Sequence, residues 1–201
     1  DLLRAHPDLK GLNVTIPYKQ DVIKYLNALS EDAAQIGAVN VIKITDSVEG
    51  KVLEGFNSDA LGFRQSILPL IKPHMKNALV LGTGGASKAV SHVLKNLGLN
   101  VKSVSRRKTE TSISYEEVTP ALLNSYHVIV NSTPLGMWPH VDDAPPLPYE
   151  SLTSRHLLYD LVYNPPITKF MRYGIENGAV VKNGLEMLYG QAIEAWRIWT
   201  S

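Results

Sequence analysis

A glycine turn set between a buried strand and a helix constrains this chain more than any other feature. Ala78-Leu79-Val80-Leu81 is an unbroken apolar run and reads as a strand covered on both faces. It leads directly into Gly82-Thr83-Gly84-Gly85, after which Ala86, Ala89, Val90, Val93, Leu94 and Leu97 recur at helical spacing. Gly98 stands where such a helix would stop. Further strands are expected at 101–105, 128–131, 157–163 and 179–182, and a helix at 166–177 with Pro166 at its start and Gly178 beyond its end. Strands alternating with helices imply a doubly wound parallel sheet, and the first glycine turn then lies where an open sheet of this kind takes its ligand. The fold class expected for residues 59–183 is α/β, a Rossmann-type nucleotide-binding domain.

Residues 1–58 read as a smaller α/β unit. A loop at 11–17 precedes an expected helix at 19–29. Ser30 suits the cap of the next helix, with Glu31 and Asp32 in its positively polarised first turn. Strands at 39–45 and 52–55 flank a turn near Glu49-Gly50. At the other end Leu185, Leu188, Ala192, Ala195, Trp196 and Trp199 form a helical apolar stripe. The stripe by itself suits packing on either unit; residues 184–201 are assigned to pack back on the first.

Composition removes several classes of function. Hydrophobic residues at 44% and charged residues at 19% suit a chain with a packed core. A net charge of +1 gives no long-range attraction to nucleic acid or to an anionic membrane. With no cysteine there is neither disulfide nor thiolate chemistry, and the six histidines lack the spacing of a metal pair. No apolar run is long enough to cross a bilayer, and the first residues have no signal-peptide layout. The expectation is a metal-free, cytoplasmic protein.

Three segments can carry chemistry. Gly82, Gly84 and Gly85, between strand and helix, suit the close approach of phosphate oxygens to backbone N–H groups, although Ser87 stands at the third small position of the usual fingerprint. A tight turn with no ligand is the alternative. At the end of the next strand an NAD-binding domain usually has an acidic residue for the ribose hydroxyls. Here Ser105-Arg106-Arg107-Lys108 stands instead, which suits the 2′-phosphate of NADP unless it is simply a solvated basic loop. Finally, Lys19 follows a proline-stiffened segment, Asn13-Val14-Thr15-Ile16-Pro17, and a lysine so held can exchange a proton with a substrate oxygen. Taken alone, Lys19 reads more readily as a surface helix residue than as a catalytic one, Asp59 equally as a helix cap and Asn40 equally as a turn residue.

Their order changes the reading. Asn-Val-Thr-x-Pro-x-Lys from Asn13, Gly-Ala-Val-Asn ending at Asn40, Gly-Phe-Asn-Ser-Asp ending at Asp59 and Gly-x-Gly-Gly-Ala from Gly82 follow one another. Asn131-Ser132-Thr133-Pro134-Leu135-Gly136-Met137, Tyr159-Asp160-Leu161-Val162-Tyr163 and Asn183-Gly184-Leu185-Glu186-Met187-Leu188 come after them. In this order the set resembles the shikimate dehydrogenases along essentially the whole chain. The resemblance implies a monomer or homodimer acting on a small molecule, and the reversible reduction of 3-dehydroshikimate by NADPH, with Lys19 transferring the proton and Asp59 as its partner. It implies that Thr15, Asn40, Tyr163 and Gln191 join Lys19 and Asp59 around shikimate. Gly82, Thr83, Gly84, Gly85, Ala86, Ser105, Arg106, Arg107, Leu161 and Gly184 are implied to follow the cofactor, with Glu31 reaching it from the other unit. The chain departs from the family at Ser105, where asparagine is usual, and at Arg107, where a small hydroxyl residue is usual. The family's opening strand and helix, with a Ser-x-Ser motif for the substrate carboxylate, have no counterpart before Asp1. The substrate unit is therefore expected to be incomplete at its N-terminus. An NAD-using quinate/shikimate dehydrogenase and a nucleotide-binding module without catalysis are the competing readings.

Overall fold

A computed structural model describes residues 2–48 and 50–201. The first half begins with a short helix, α1 (Leu2–Ala5), and continues through β1 (Gly11–Asn13), a 3-10 helix over Asp21–Tyr25 and β2 (Ala28–Leu29). Next come α2 (Glu31–Ile36), β3 (Val41–Ser47) and β4 (Gly50–Phe56). The strands form a mixed sheet in the order β1-β3-β4-β2, with β2 parallel to β4 and the other pairs antiparallel. Successive side chains of β3 point to opposite faces. Ile42 and Ile44 join Ala33, Val39 and the apolar residues of the 3-10 segment, while Val41 packs on the opposite side with Ala195 and Ile198.

The chain then enters α3 (Ser58–Ile67), followed by β5 (Asn77–Leu81), α4 (Gly85–Asn96), β6 (Asn100–Ser105) and β7 (Ser112–Ser114). After these come α5 (Pro120–Leu123), β8 (Val128–Asn131), β9 (Leu157–Asp160), α6 (Lys169–Glu176), β10 (Val180–Lys182) and α7 (Leu185–Thr200). Six strands build one sheet in the order β10-β9-β8-β5-β6-β7, and every pair in it is parallel. The Rossmann-type α/β expectation holds. All four residues of β8 and of β9 are buried, because helices cover both faces. Val80, Val130 and Tyr159 meet α3 and α4 through Phe63, Ile67, Val90 and Leu94, whereas Leu79, Leu81, Ile129 and Leu158 meet Phe170, Met171 and Leu123 on the reverse face.

Several local expectations are corrected. The expected loop at 11–17 contains β1, because Gly11, Leu12 and Asn13 pair with Lys43, Ile42 and Val41. The expected helix at 19–29 is instead a turn, a 3-10 helix and strand β2. There the Lys19 carbonyl accepts the Val39 N–H (2.7 Å) and the Asn27 side chain accepts the Leu53 N–H (2.8 Å), so tertiary partners outbid the local helical ladder. The strand expected at 157–163 stops at Asp160, whose side chain turns the chain by accepting the Val162 N–H (3.0 Å). The helix expected from Pro166 starts at Lys169, where the Thr168 hydroxyl caps it by accepting the Met171 N–H. The expected turn at Glu49-Gly50 includes Glu49, which lies outside the described residues.

Two helices bring the sheets together. Asn57 caps α3 by accepting the Ala60 N–H and donates to the Ala38 carbonyl (2.8 Å), so α3 leaves β4 in a fixed direction and buries Phe63 and Ile67 on the large sheet. The last helix, α7, lies along α3 and ends on the small sheet, where the Trp199 indole N–H donates to the Ile42 carbonyl (3.1 Å). No described helix is long and apolar enough to cross a membrane.

Candidate active site

A cleft of about 370 Å³ opens where α3, α7 and the segment after β1 converge on the end of the large sheet. Its wall includes Thr15, Lys19, Asn40, Asp59, Tyr163 and Gln191, so the six residues expected around substrate share one cavity. Ala86, Leu161 and Gly184, expected beside the cofactor, line the same cleft.

Lys19 and Asp59 meet at its base. Lys19 Nζ lies 2.6 Å from Asp59 Oδ2, with the lysine side chain 12% and the aspartate side chain 2% exposed. Asp59 does not cap α3, since Asn57 does, and its carboxylate is free to face the cleft. Asn40 holds that carboxylate by donating from Nδ2 to Asp59 Oδ1 (2.9 Å) and to Ser58 Oγ (3.0 Å). The Ser58 N–H donates back to Asn40 Oδ1 (2.7 Å). The Asn40 backbone is fixed in turn, its carbonyl accepting the Val14 N–H and its N–H donating to the Phe56 carbonyl. Asn40, at a bend in the chain, is therefore also a hub, linking the segment after β1 to β4 and α3, and its amide reaches Gln191 Oε1 (3.4 Å) on α7. A lysine carrying a proton at Nζ, oriented by a buried carboxylate beside an open cavity, is equipped for general acid–base work.

The glycine turn lies at the end of β5, where the strand order reverses between β8 and β6, the crevice in which open sheets bind dinucleotides. Gly82 has a φ of 111°, and an added Cβ there would stand 2.8 Å from Ser132 Oγ, so the turn itself demands glycine. Gly84 differs. Its φ is −79°, no side chain caps α4 there, and an added Cβ would meet nothing within 4 Å. Nothing within the protein requires glycine at 84, whereas close approach of a phosphate to the open N-terminus of α4 does. Beyond the turn, Thr83, Ser105, Arg106 and Arg107 surround a second cavity of about 490 Å³. Lys108 pairs with Glu117 (2.7 Å), but among the described residues neither Arg106 nor Arg107 joins an ion pair. Ser105 donates to the Arg107 carbonyl and bonds Ser112 Oγ (2.8 Å), folding the basic loop over β7. Two unpaired guanidinium groups beside an uncapped helix start fit a dinucleotide that carries an additional phosphate. Glu31 is not brought to either cavity: it is exposed in the first turn of α2 and accepts from Gln35 Nε2 (3.1 Å).

Sequence reasoning assigned no role to two groups that shape the cleft. Ser58 lines it beside Asp59 and had no signal beyond its place in the Gly-Phe-Asn-Ser-Asp segment. Asp160 is fully buried and accepts from Asn131 Nδ2 (3.0 Å), Val162 N–H (3.0 Å) and Thr168 Oγ1 (2.6 Å). It ties the loops after β8 and β9 together, and so fixes the segment that carries Leu161 and Tyr163. Burial raises the Asp160 carboxyl to about 6, against the opposing effect of those three donors.

Comparison with known proteins agrees with this geometry. Residues 1–42 match the shikimate dehydrogenase substrate binding domain. The chain is 39% identical over 204 residues to the shikimate dehydrogenase (NADP(+)) of Clostridium beijerinckii, covering 95% of this chain and 72% of that one. It superposes with a TM-score of 0.83 on the shikimate 5-dehydrogenase of Thermus thermophilus solved with NADP(H) and shikimate, at 33% identity over 99% of this chain and 76% of that one. A quinate dehydrogenase from Corynebacterium glutamicum, solved with NAD, superposes with a TM-score of 0.84 at 28% identity, covering 99% of this chain and 76% of that one.

Proposed function

The chain belongs to the shikimate dehydrogenase family, and on that premise we propose that it reversibly reduces 3-dehydroshikimate to shikimate with NADPH, a step of aromatic amino-acid biosynthesis. The observation that carries the reading is the Lys19–Asp59 pair at the base of a cleft walled on its other side by Ala86, just past the glycine turn. When bound, NADPH supplies the hydride. Reduction of a ketone leaves negative charge on its oxygen, and the Lys19 ammonium stabilises that charge and gives up its proton from Nζ. In the oxidative direction neutral Lys19 accepts the proton from the shikimate hydroxyl. Asp59 keeps the lysine pointed at the substrate, and Asn40 keeps Asp59 in place. Thr15, Tyr163 and Gln191 contribute hydroxyl and amide groups suited to ring hydroxyls. The backbone N–H groups at Gly84, Gly85 and Ala86 would hold the pyrophosphate, and Arg106 and Arg107 the 2′-phosphate, with Thr83 and Ser105 beside them. Leu161 and Gly184, which line the same cleft as Lys19, would contact the bound cofactor. Glu31 stays a candidate contact from the smaller unit.

The test is shikimate-dependent formation of NADPH by the purified protein at its natural length, run alongside Lys19→Ala. Turnover is expected for the parent and loss of it for the variant. A Lys19→Ala variant as active as its parent would end the assignment. Parallel runs with quinate and with NAD address the activity named for the Corynebacterium relative. The unpaired Arg106 and Arg107 favour NADP over NAD.

A further inference from the structure

We propose that Gly85 is a positioning residue for Lys19: its bare Cα braces the aliphatic stem of the lysine, so the turn that holds the cofactor phosphates also sets where the transferable proton sits. The proposal rests on the role given to Lys19 above.

Gly84 and Gly85 are adjacent but serve different purposes. Neither has a positive φ, so conformational freedom explains neither glycine. A Cβ on Gly84 would meet nothing within 4 Å, whereas one on Gly85 would stand 2.9 Å from Lys19 Cβ and 3.3 Å from Lys19 Cδ. Carbon atoms in contact prefer about 3.5–4.0 Å, so a methyl group at position 85 forces a displacement of about 0.5 Å or more. Side-chain rotation cannot relieve it, because Cβ is placed by the backbone. Lys19 is also held at both ends. Its carbonyl accepts the Val39 N–H (2.7 Å), and its ammonium is bound to Asp59 (2.6 Å). The space a Cβ would take at Gly85 is bounded by the stem between these two anchors. The Cβ direction at Gly85 points toward Lys19, so an alanine there leaves the backbone N–H available to a phosphate. The two units of the fold thus meet, at this contact, on the residue that carries the proton.

The experiment uses Gly85→Ala and Lys19→Ala in the enzyme at its natural length. Misplacement by about 1 Å costs about a hundredfold in rate, so a shift of about half that predicts a fall in kcat of about tenfold for Gly85→Ala, with calorimetric NADP affinity held within about threefold. Lys19, released from Asp59, should also react severalfold faster with an amine-acylating reagent, read by peptide mass mapping. In the unaltered enzyme, 2′-phospho-ADP, which loads the turn but has no nicotinamide to reach Lys19, should slow that acylation at least twofold; this arm does not depend on the variant folding. Parental kcat and acylation rate in Gly85→Ala would overturn the proposal. So would a loss of NADP affinity matching the loss of kcat with Lys19 acylation unchanged, or an acylation rate indifferent to 2′-phospho-ADP. An active Lys19→Ala enzyme would defeat the function proposed above, whereas an inactive Lys19→Ala beside an unimpaired Gly85→Ala would defeat only the bracing role.

Discussion

Removing the cation from the Lys19–Asp59 pair should cost stability as well as turnover, and the two losses can be separated. Lys19→Met keeps most of the aliphatic stem facing Gly85 but leaves the Asp59 carboxylate, 2% exposed, with the Asn40 amide at 2.9 Å as its one remaining side-chain partner among the described residues. Breaking a buried pair by deleting one partner costs about 3–5 kcal/mol. Lys19 keeps 12% exposure at the edge of an open cleft, which places the expectation near the lower bound, about 3 kcal/mol. Adding Asp59→Asn removes the stranded charge, so the double variant should regain about 2 kcal/mol relative to the sum of the single changes. Neither variant should turn over shikimate. Urea unfolding followed by tryptophan fluorescence is a suitable assay, since Trp199 sits on the Ile42 carbonyl close to the pair's supporting strands. A Lys19→Met protein within about 0.5 kcal/mol of its parent, or strictly additive single effects, would show that water rather than Lys19 solvates Asp59.

Three further outcomes are expected. Arg106→Ala should weaken NADP by about tenfold or more while leaving NAD nearly unchanged, because charge-assisted bonds to the 2′-phosphate are worth about 1.5–3 kcal/mol; equal losses by calorimetry would move Arg106 to a part shared by both dinucleotides. Gly62→Ala would place a Cβ 2.6 Å from the Met187 carbonyl and 2.8 Å from the Gln191 nitrogen, so α3 and α7 must separate. A cost of about 1–3 kcal/mol and a raised KM for shikimate are expected, and unchanged melting would contradict the tight helix contact. The Asp160 carboxyl, raised from 3.8 to about 6 by burial, binds its proton more strongly in the folded state, so its contribution is full below about pH 4 and is lost as pH rises through about 6. Relative to Asp160→Asn, the parent should therefore lose about 3 kcal/mol of unfolding free energy between pH 4 and pH 7, and a pH-independent difference would refute the shift.

Legibility in the sequence followed the length of the element and the locality of its bonds. β5, the glycine turn and α4 form one continuous segment whose apolar period, turn chemistry and stop signal all agree, so they are readable in order. β1 and β2 are three and two residues long, too short for any period to register, and exist because β3 and β4 offer backbone partners. The 19–29 segment shows how this misleads: Val22, Ile23, Leu26 and Leu29 are spaced as on a helix, but they serve the small-sheet core from a 3-10 turn and a strand. Strand β7 has a single apolar residue, Ile113, between two serines, too little for a period to register.

Residue chemistry alone determined that this chain can carry a proton on Lys19, offer phosphate a side-chain-free turn and meet a 2′-phosphate with Arg106 and Arg107. Ordered motifs then narrowed the family. Tertiary structure decided which of these groups act together. Lys19 and Asp59 are 40 residues apart and meet only because Asn40 and Asn57 fix the exit of α3 from the small sheet. Gly85 faces Lys19, leaving no room for a side chain between them, only because the two sheets share that helix and α7. Local propensity acts over a few residues, whereas a site requires atoms placed within tenths of an ångström. Only the packing of buried side chains on both sheets supplies that precision.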